Sequence, residues 1–261
     1  MPVAAVAGID LSYEEHGSGP PLLLIAGIPA VAGDWRPVAE RMAADGRRAI
    51  AYDNRGSGAS TVTPGPYTTR GLAADAVALL DHLAIERADV FGMSLGGMIA
   101  QELALGWPER VAHLVLGCTH AGIRHAAPQP REAARAFAME TDDWAERMAA
   151  LAPFAFASDV DTGLLERFIA KKSDDVQDDA GYRAQIAAAL THDTLDRLDR
   201  ITAPTLVVTG DDDRVIPAPS SDVVAERIPG ARLVVLPGTG HLFFIEQPEQ
   251  THSVLSDFLS A

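Results

Sequence analysis

Short apolar runs recur along the chain, separated by stretches whose apolar residues fall three and four positions apart. Residues 9–16 alternate apolar and polar, the pattern of a half-exposed strand, and the glycine- and proline-rich turn at 17–21 leads into Leu22-Leu23-Leu24-Ile25. An all-apolar strand of this kind has to be covered on both faces, which is the condition of a parallel sheet. The spacing predicts a helix over 35–44, a strand over 48–52 and a helix over 68–83, the last from the stripe Leu72, Ala76, Leu79, Leu80 and Leu83. A strand over 88–91, a helix from Gly97 to Leu105 and a strand over 111–118 follow. Strands that alternate with helices imply a mostly parallel sheet with helices on both faces, and sites at the carboxyl ends of the strands.

The alternation stops over residues 119–200, where only helical periodicity occurs. Phe137, Trp144, Met148 and Leu151 fall at helical spacing, as do Leu164, Leu165, Phe168 and Ile169, and a third helix is predicted over 182–190. It resumes with a strand over 204–209, a helix over 220–228, a strand over 231–236 and a closing helix over 248–259. The expected organisation is therefore an α/β core made of residues 1–118 and 201–261, with a helical cap, 119–200, inserted in it.

Composition narrows the function. With 261 residues and 48% of them apolar, the chain can bury a sizeable core. A formal charge of -15 argues against a nucleic acid or an anionic membrane as partner, since either selects a basic face. Lys171 and Lys172 are the only lysines, and Cys118 is the sole cysteine, so no internal disulfide forms. The first residues lack the basic segment of a signal peptide, and no apolar run approaches the roughly 18 residues of a membrane span. A soluble cytoplasmic protein acting on a small molecule is expected, with its oligomeric state left open.

The candidate chemistry centres on Gly92-Met93-Ser94-Leu95-Gly96, which joins a predicted strand to a predicted helix. Reversing the chain within one residue strains Ser94 and brings strand and helix so close that side chains at 92 and 96 would collide. A serine hydroxyl is a weak nucleophile at neutral pH; it needs a histidine to take its proton and a carboxylate to orient that histidine. Two later loops can supply these groups: Gly238-Thr239-Gly240-His241 after the last strand, and Gly210-Asp211-Asp212-Asp213-Arg214 after the one before it. His16, His82, His113, His125, His192 and His252 have no ligand spacing among themselves, so neither metal nor cofactor is expected.

In these motifs and their Ser, Asp, His order the chain resembles the α/β-hydrolase superfamily, in the capped branch with the 3-oxoadipate enol-lactonase-like and small carboxylesterase-like enzymes. The resemblance covers nearly all of the chain outside the cap. It implies Ser94 as nucleophile, His241 as base and Asp213 as orienting acid, because the family's acid loop reads Gly-x-x-Asp with two residues between the acid and an apolar position followed by proline, here Ile216-Pro217. Asp211 and Asp212 would then face solvent or cap the loop. The second acid position of the family, after the strand ending near Cys118, holds Thr119 and His120. The oxyanion loop, usually His-Gly, reads Ala26-Gly27-Ile28-Pro29, and the backbone N–H groups of Leu95 and Ile28 are the expected oxyanion hole. Asp53-Asn54-Arg55-Gly56-Ser57-Gly58 resembles the family's Asp-x-Arg-Gly-x-Gly signature, which braces the nucleophile region.

The expected reaction is hydrolysis of a carboxylic ester or lactone through an acyl-enzyme. Alternatives are hydrolysis of a carbon-carbon bond with the same triad, cofactor-free perhydrolysis of the haloperoxidase kind and, outside enzymes, a capped-hydrolase-like small-molecule receptor. Epoxide hydrolase and haloalkane dehalogenase chemistry is disfavoured, because those relatives carry aspartate where Ser94 stands. His120, Trp144 and Met148 are expected to line a largely apolar pocket. Arg124, Arg131 and Arg135 are the cations that could hold a substrate carboxylate.

Overall fold

The computed structural model describes residues 1–175 and 177–260. The chain opens with a hairpin, β1 (Val3–Val6) and β2 (Ile9–His16), in register from Val3 opposite Ser12 to Val6 opposite Ile9. Its first strand, Val-Ala-Ala-Val, is too short and too small-sided to stand out by periodicity. Then come β3 (Pro21–Ile25), a 3-10 turn at Ala32–Trp35, α1 (Arg36–Ala44), β4 (Arg48–Tyr52), α2 (Thr69–His82), β5 (Ala88–Met93), α3 (Leu95–Gly106) and β6 (Val111–Gly117). The expected helix over 35–44 starts as a 3-10 turn because Pro37 favours the first turn of an α-helix and fixes the start of α1 just before it.

Four helices follow before the next strand: α4 (Arg131–Phe137), α5 (Trp144–Ala155), α6 (Thr162–Asp174) and α7 (Asp179–Thr191). Asp143, Asp161 and Asp178 cap α5, α6 and α7 by accepting from backbone N–H groups of their first turns, so part of the acidic surplus closes helix ends. The chain returns through β7 (Thr205–Gly210), α8 (Pro219–Arg227), β8 (Arg232–Leu236), α9 (Phe243–Glu246) and α10 (Pro248–Leu259).

The eight strands form one sheet in the order β1-β2-β4-β3-β5-β6-β7-β8, with β2 antiparallel to both its neighbours, β1 and β4, and every other neighbouring pair parallel. Successive residues of the apolar strands serve opposite faces. Leu23, Ile25, Val90, Leu114 and Leu116 join the core under α2 and α3, while Leu22, Leu24, Phe91, Val115 and Val208 join the one that holds α1 and α10. This double coverage explains why the parallel strands show no polar alternation. Among the described residues no helix is long and apolar enough to cross a membrane.

The sheet also fixes where a site can form. From β3 the chain runs to β4 on one side, and β5 returns on the other, pairing Ile25 with Gly92. Order reverses between β3 and β5, and the crevice beyond their carboxyl ends is where ligands bind in open α/β sheets. The packing there allows no side chain: a Cβ on Gly96 would overlap the carbonyl oxygen of Ile25, and one on Gly92 the carbonyl of Gly96. Gly96→Ala should therefore cost at least about 2 kcal/mol in urea unfolding, since backbone atoms must move. Gly106→Ala, near only the guanidinium of Arg70 at 3.7 Å or more, should stay within about 0.5 kcal/mol. Equal urea midpoints for the two variants would contradict this reading of the crevice.

Candidate active site

Ser94 joins β5 to α3 with φ 56° and ψ −119°, a backbone conformation that side-chain-bearing residues rarely adopt. The surroundings over-determine it. Ser94 N–H donates to Gly117 O at 2.8 Å, and Ser94 O accepts from Gly97 N–H at 2.9 Å and from the Thr119 hydroxyl at 2.9 Å. The neighbouring strand and the first turn of α3 thus fix both peptide groups of the serine, and its side chain faces a cavity shared with His241.

Asp213 follows β7 with its side chain fully buried. One oxygen, Oδ1, accepts from the backbone N–H groups of Val215 at 2.8 Å and Ile216 at 2.9 Å; the other, Oδ2, lies 2.7 Å from His241 Nδ1. An ionised carboxylate only accepts, so Nδ1 carries the proton and Nε2 is left with a lone pair. Its neighbours bond elsewhere. Asp211 is exposed and accepts from Gly238 N–H at 2.7 Å, whereas Asp212 accepts from Ser158 N–H at 2.5 Å. The Cys118 thiol lies beside the pair, with Sγ, a carboxylate oxygen of Asp213 and a ring nitrogen of His241 all within 4.8 Å. Burial pushes this thiol well above the ordinary range, with Asp213 adding to the effect.

The loop after β3 approaches the serine so closely that a Cβ on Gly27 would stand 2.9 Å from Ser94 Cβ. Asn54 Nδ2 donates to Ala26 O at 2.9 Å, and Asp53 accepts from Ala32 N–H at 2.7 Å, so the loop after β4 holds this segment at both ends. The loop was expected to support the nucleophile region, and its side-chain bonds reach the β3 loop. Burial pushes the Asp53 carboxyl up, partly offset by the N–H groups of Ala32 and Ala59. Ile28 and Leu95 both line the cavity beside Ser94, and among the described residues neither N–H group has an acceptor.

The cavity measures about 700 Å³. Its wall is mostly apolar, with Met98, Phe137, Met148, Leu151, Phe168 and Phe244 among the lining residues. Polar groups are few: besides Ser94 and His241 they include His120, Asp34 and Lys172. Lys172 is buried and gives its ammonium to Asp34 at 2.6 Å and Asp175 at 3.4 Å; Lys171 also reaches Asp34, at 2.8 Å. Burial raises the Asp34 carboxyl, and the attraction of Lys172 together with hydrogen bonds from Lys171, Lys172 and the Val31 N–H more than reverses this, leaving it below the usual carboxylate range. The two lysines and two aspartates carry no net charge.

A strained serine between strand and helix, and a buried Asp-His pair two loops away, is the arrangement by which one family is known. A family profile described as "Alpha/beta hydrolase family" matches residues 22–254. The chain belongs to the alpha/beta hydrolase family. It is 32% identical to a protein of Mycobacterium tuberculosis H37Rv provisionally named non-heme bromoperoxidase BpoC, over 97% of this chain and 98% of that one. Among solved structures it resembles a hydrolase from Pseudomonas aeruginosa PA01, with TM-score 0.87 and 34% identity over 100% of this chain and 98% of the other. It also resembles the enol-lactonase from Burkholderia xenovorans LB400, with TM-score 0.87 and 28% identity over 100% of both chains.

In this alpha/beta hydrolase Ser94, Leu95, Ile28, His120, Met148 and His241 all meet at the cavity, with Asp213 behind His241. Trp144 corrects the sequence reading, because it is not a lining residue. Its indole N–H donates to Lys172 O at 2.7 Å and its ring packs edge-on against Tyr182, which turns it from the cavity toward α6 and α7. The helical stripe that suggested it is in fact split between α4 and α5. Arg124, Arg131 and Arg135 are exposed and also outside the lining. The cation on the wall is Lys172, whose only sequence signal is being one of two lysines.

Two outcomes follow from this geometry. Asp213→Asn should lower kcat about a thousandfold or more, while Asp211→Asn and Asp212→Asn stay within about threefold; the reverse ranking in steady-state assays would contradict the assignment. The second concerns acid stability. His192 is buried with Nδ1 3.0 Å from the Thr69 hydroxyl and Nε2 3.2 Å from that of Thr194. Burial pushes its pKa down to about 3, and that of His120 down to about 4, from an ordinary 6.5. The unfolded chain then binds protons that the folded one refuses. Stability from this source is complete above about pH 6.5 and falls as pH drops toward about 3. Urea midpoints should decline over that window, and His192→Gln should flatten the slope; an unchanged slope would contradict the burial argument.

Proposed function

We propose that this alpha/beta hydrolase cleaves a neutral, largely apolar carboxylic ester or lactone through an acyl-serine intermediate. Its hydrolytic class is supported by its relatives, and the ester or lactone reading by likeness to a structure named as an enol-lactonase. The observation that carries the substrate class is the cavity: apolar on most of its wall, with its one buried lysine neutralised by aspartates. A substrate carboxylate would have to displace Asp34 or Asp175 and enter a region of low polarity, which is costly.

In the proposed mechanism Ser94 Oγ bonds to the carbonyl carbon while its proton passes to His241 Nε2. The carbonyl π-pair moves onto oxygen, where the Leu95 and Ile28 N–H groups hold it. Collapse of the adduct breaks the bond to the alkoxy oxygen, which leaves with the proton from His241. Water then gives a proton to His241 and attacks the acyl carbon, and the reverse collapse frees the acid and restores Ser94. Asp213 holds His241 in the tautomer that leaves Nε2 free to accept, and its charge stabilises the imidazolium. The second reading, cofactor-free perhydrolysis, is favoured by the name of the Mycobacterium tuberculosis relative and differs only in hydrogen peroxide replacing water in the second half.

Ser94→Ala should lower kcat/KM for a butyrate ester by a thousandfold or more, at the order typical of nucleophile loss, with the fold intact by circular dichroism. Activity above about a tenth of wild type would exclude Ser94 as nucleophile. For substrate class, a neutral butyrate ester should exceed a carboxylate-bearing ester of equal length by about tenfold in kcat/KM, the ratio that roughly 1.4 kcal/mol of desolvation difference gives. A preference for the anion that Lys172→Met abolishes would overturn the neutral reading. Peracid formation from acetate and hydrogen peroxide at a rate above ester hydrolysis would favour the second reading.

A further inference from the structure

Acyl transfer as proposed above uses Ser94, His241 and two backbone N–H groups, and leaves one polar ring in the cavity unexplained. His120 follows Thr119, whose hydroxyl donates to Ser94 O at 2.9 Å, so it stands on the wall within a residue of the serine's own anchor. Its backbone is held as well, because Gln101 Nε2 donates to His120 O at 3.1 Å. Of the two ring nitrogens, Nδ1 accepts the N–H of Gly122 at 3.0 Å. A backbone N–H can only donate, so Nδ1 carries the lone pair and the proton of the neutral ring is on Nε2.

That Nε2–H group has no protein acceptor among the described residues, and it is not among the buried side-chain atoms shut off without a partner. The nearest buried ring, His192, is 6.3 Å away between centroids and spends its own nitrogens on Thr69, Gln101 and Thr194. The surface that Nε2 retains is therefore cavity surface, since His120 is 5% exposed and lines the cavity. Burial keeps the ring neutral at physiological pH, with its pKa pushed down to about 4. With Nδ1 occupied and the ring uncharged, His120 has no base to offer; what it presents is one fixed hydrogen-bond donor in an apolar wall.

We propose that His120 is a specificity-determining residue whose Nε2–H donates to a second oxygen of the substrate, so that the preferred ester or lactone carries a carbonyl or ether oxygen in an otherwise apolar chain. This rests on the ester reading of the preceding section. A donor left facing an apolar chain loses its water without a replacement, and sites built to hydrogen-bond a substrate group discriminate strongly against the analogue lacking it.

The test is an oxygen scan. A series of 4-nitrophenyl esters of equal chain length, each with one methylene replaced by an ether oxygen at successive positions, is compared with the all-carbon ester on wild type, His120→Phe and His120→Gln. Wild-type kcat/KM should peak at one oxygen position. At that position His120→Phe should lose about tenfold, as a single hydrogen bond predicts, mainly through KM, with under about twofold loss on the all-carbon ester, and His120→Gln should recover part of the loss because its amide can donate. Equal losses on all esters would make His120 structural and overturn the proposal. If His120→Phe fails to fold, the wild-type scan still decides: a flat profile along the chain overturns it. Absence of turnover on every ester would overturn the ester reading itself, a different failure from a flat profile.

Discussion

The backbone of Ser94 is the constraint on which the rest depends. A residue at φ 56° and ψ −119° costs of order 1–3 kcal/mol and persists only where its surroundings leave no alternative. Those surroundings are the pairing of Ser94 N–H with β6, the first turn of α3 on Ser94 O, and a strand-helix approach that tolerates no Cβ at Gly92 or Gly96. The return is geometric. A serine held this way lifts its hydroxyl out of the sheet, and the N–H of the next residue, Leu95, stays free of the hydrogen-bond ladder on either side.

The other site loops are tied to the same edge by separate contacts. Asn54 and Asp53 hold the segment after β3, while Val215 and Ile216 hold Asp213. The His241 loop is joined to the inserted helices through Glu246, which accepts from Gly240 N–H at 2.7 Å and Ala157 N–H at 2.9 Å. Leu242 N–H donates to Ala155 O at 2.8 Å, and Asp212 and Arg214 also reach the segment at the end of α5. At its other edge the insertion is closed by the bridge between Gly122 and Asp193 and by the buried cluster of Gln101, His192 and Thr194. The helices that shape the cavity are thus bonded to the loops that carry the candidate chemistry.

Local signals made much of this legible in the sequence. β3 announces itself as four consecutive apolar residues, α10 runs over the predicted span, and Gly-Met-Ser-Leu-Gly marks the strand-to-helix joint before any coordinate is known. Non-local pairing outside the motifs that carry the family resemblance was not legible. Nothing near Lys172 says that its ammonium will meet Asp34, 138 positions earlier, nor that Cys118 will lie against Asp213. Trp144 shows the same limit, since helical spacing gives the face of a helix and not which neighbour a polar indole will choose. β1 escaped for the opposite reason, having too few residues for a period to be read.

The central claim is that Ser94 is an activated nucleophile served by His241, and covalent labelling examines it without knowledge of the substrate. The folded protein, treated with a fluorophosphonate and digested, should give a single adduct on the peptide containing Ser94. The adduct should form far more slowly in His241→Gln and not at all after denaturation. Absence of an adduct in the folded wild type, or equal labelling before and after denaturation, would contradict the account.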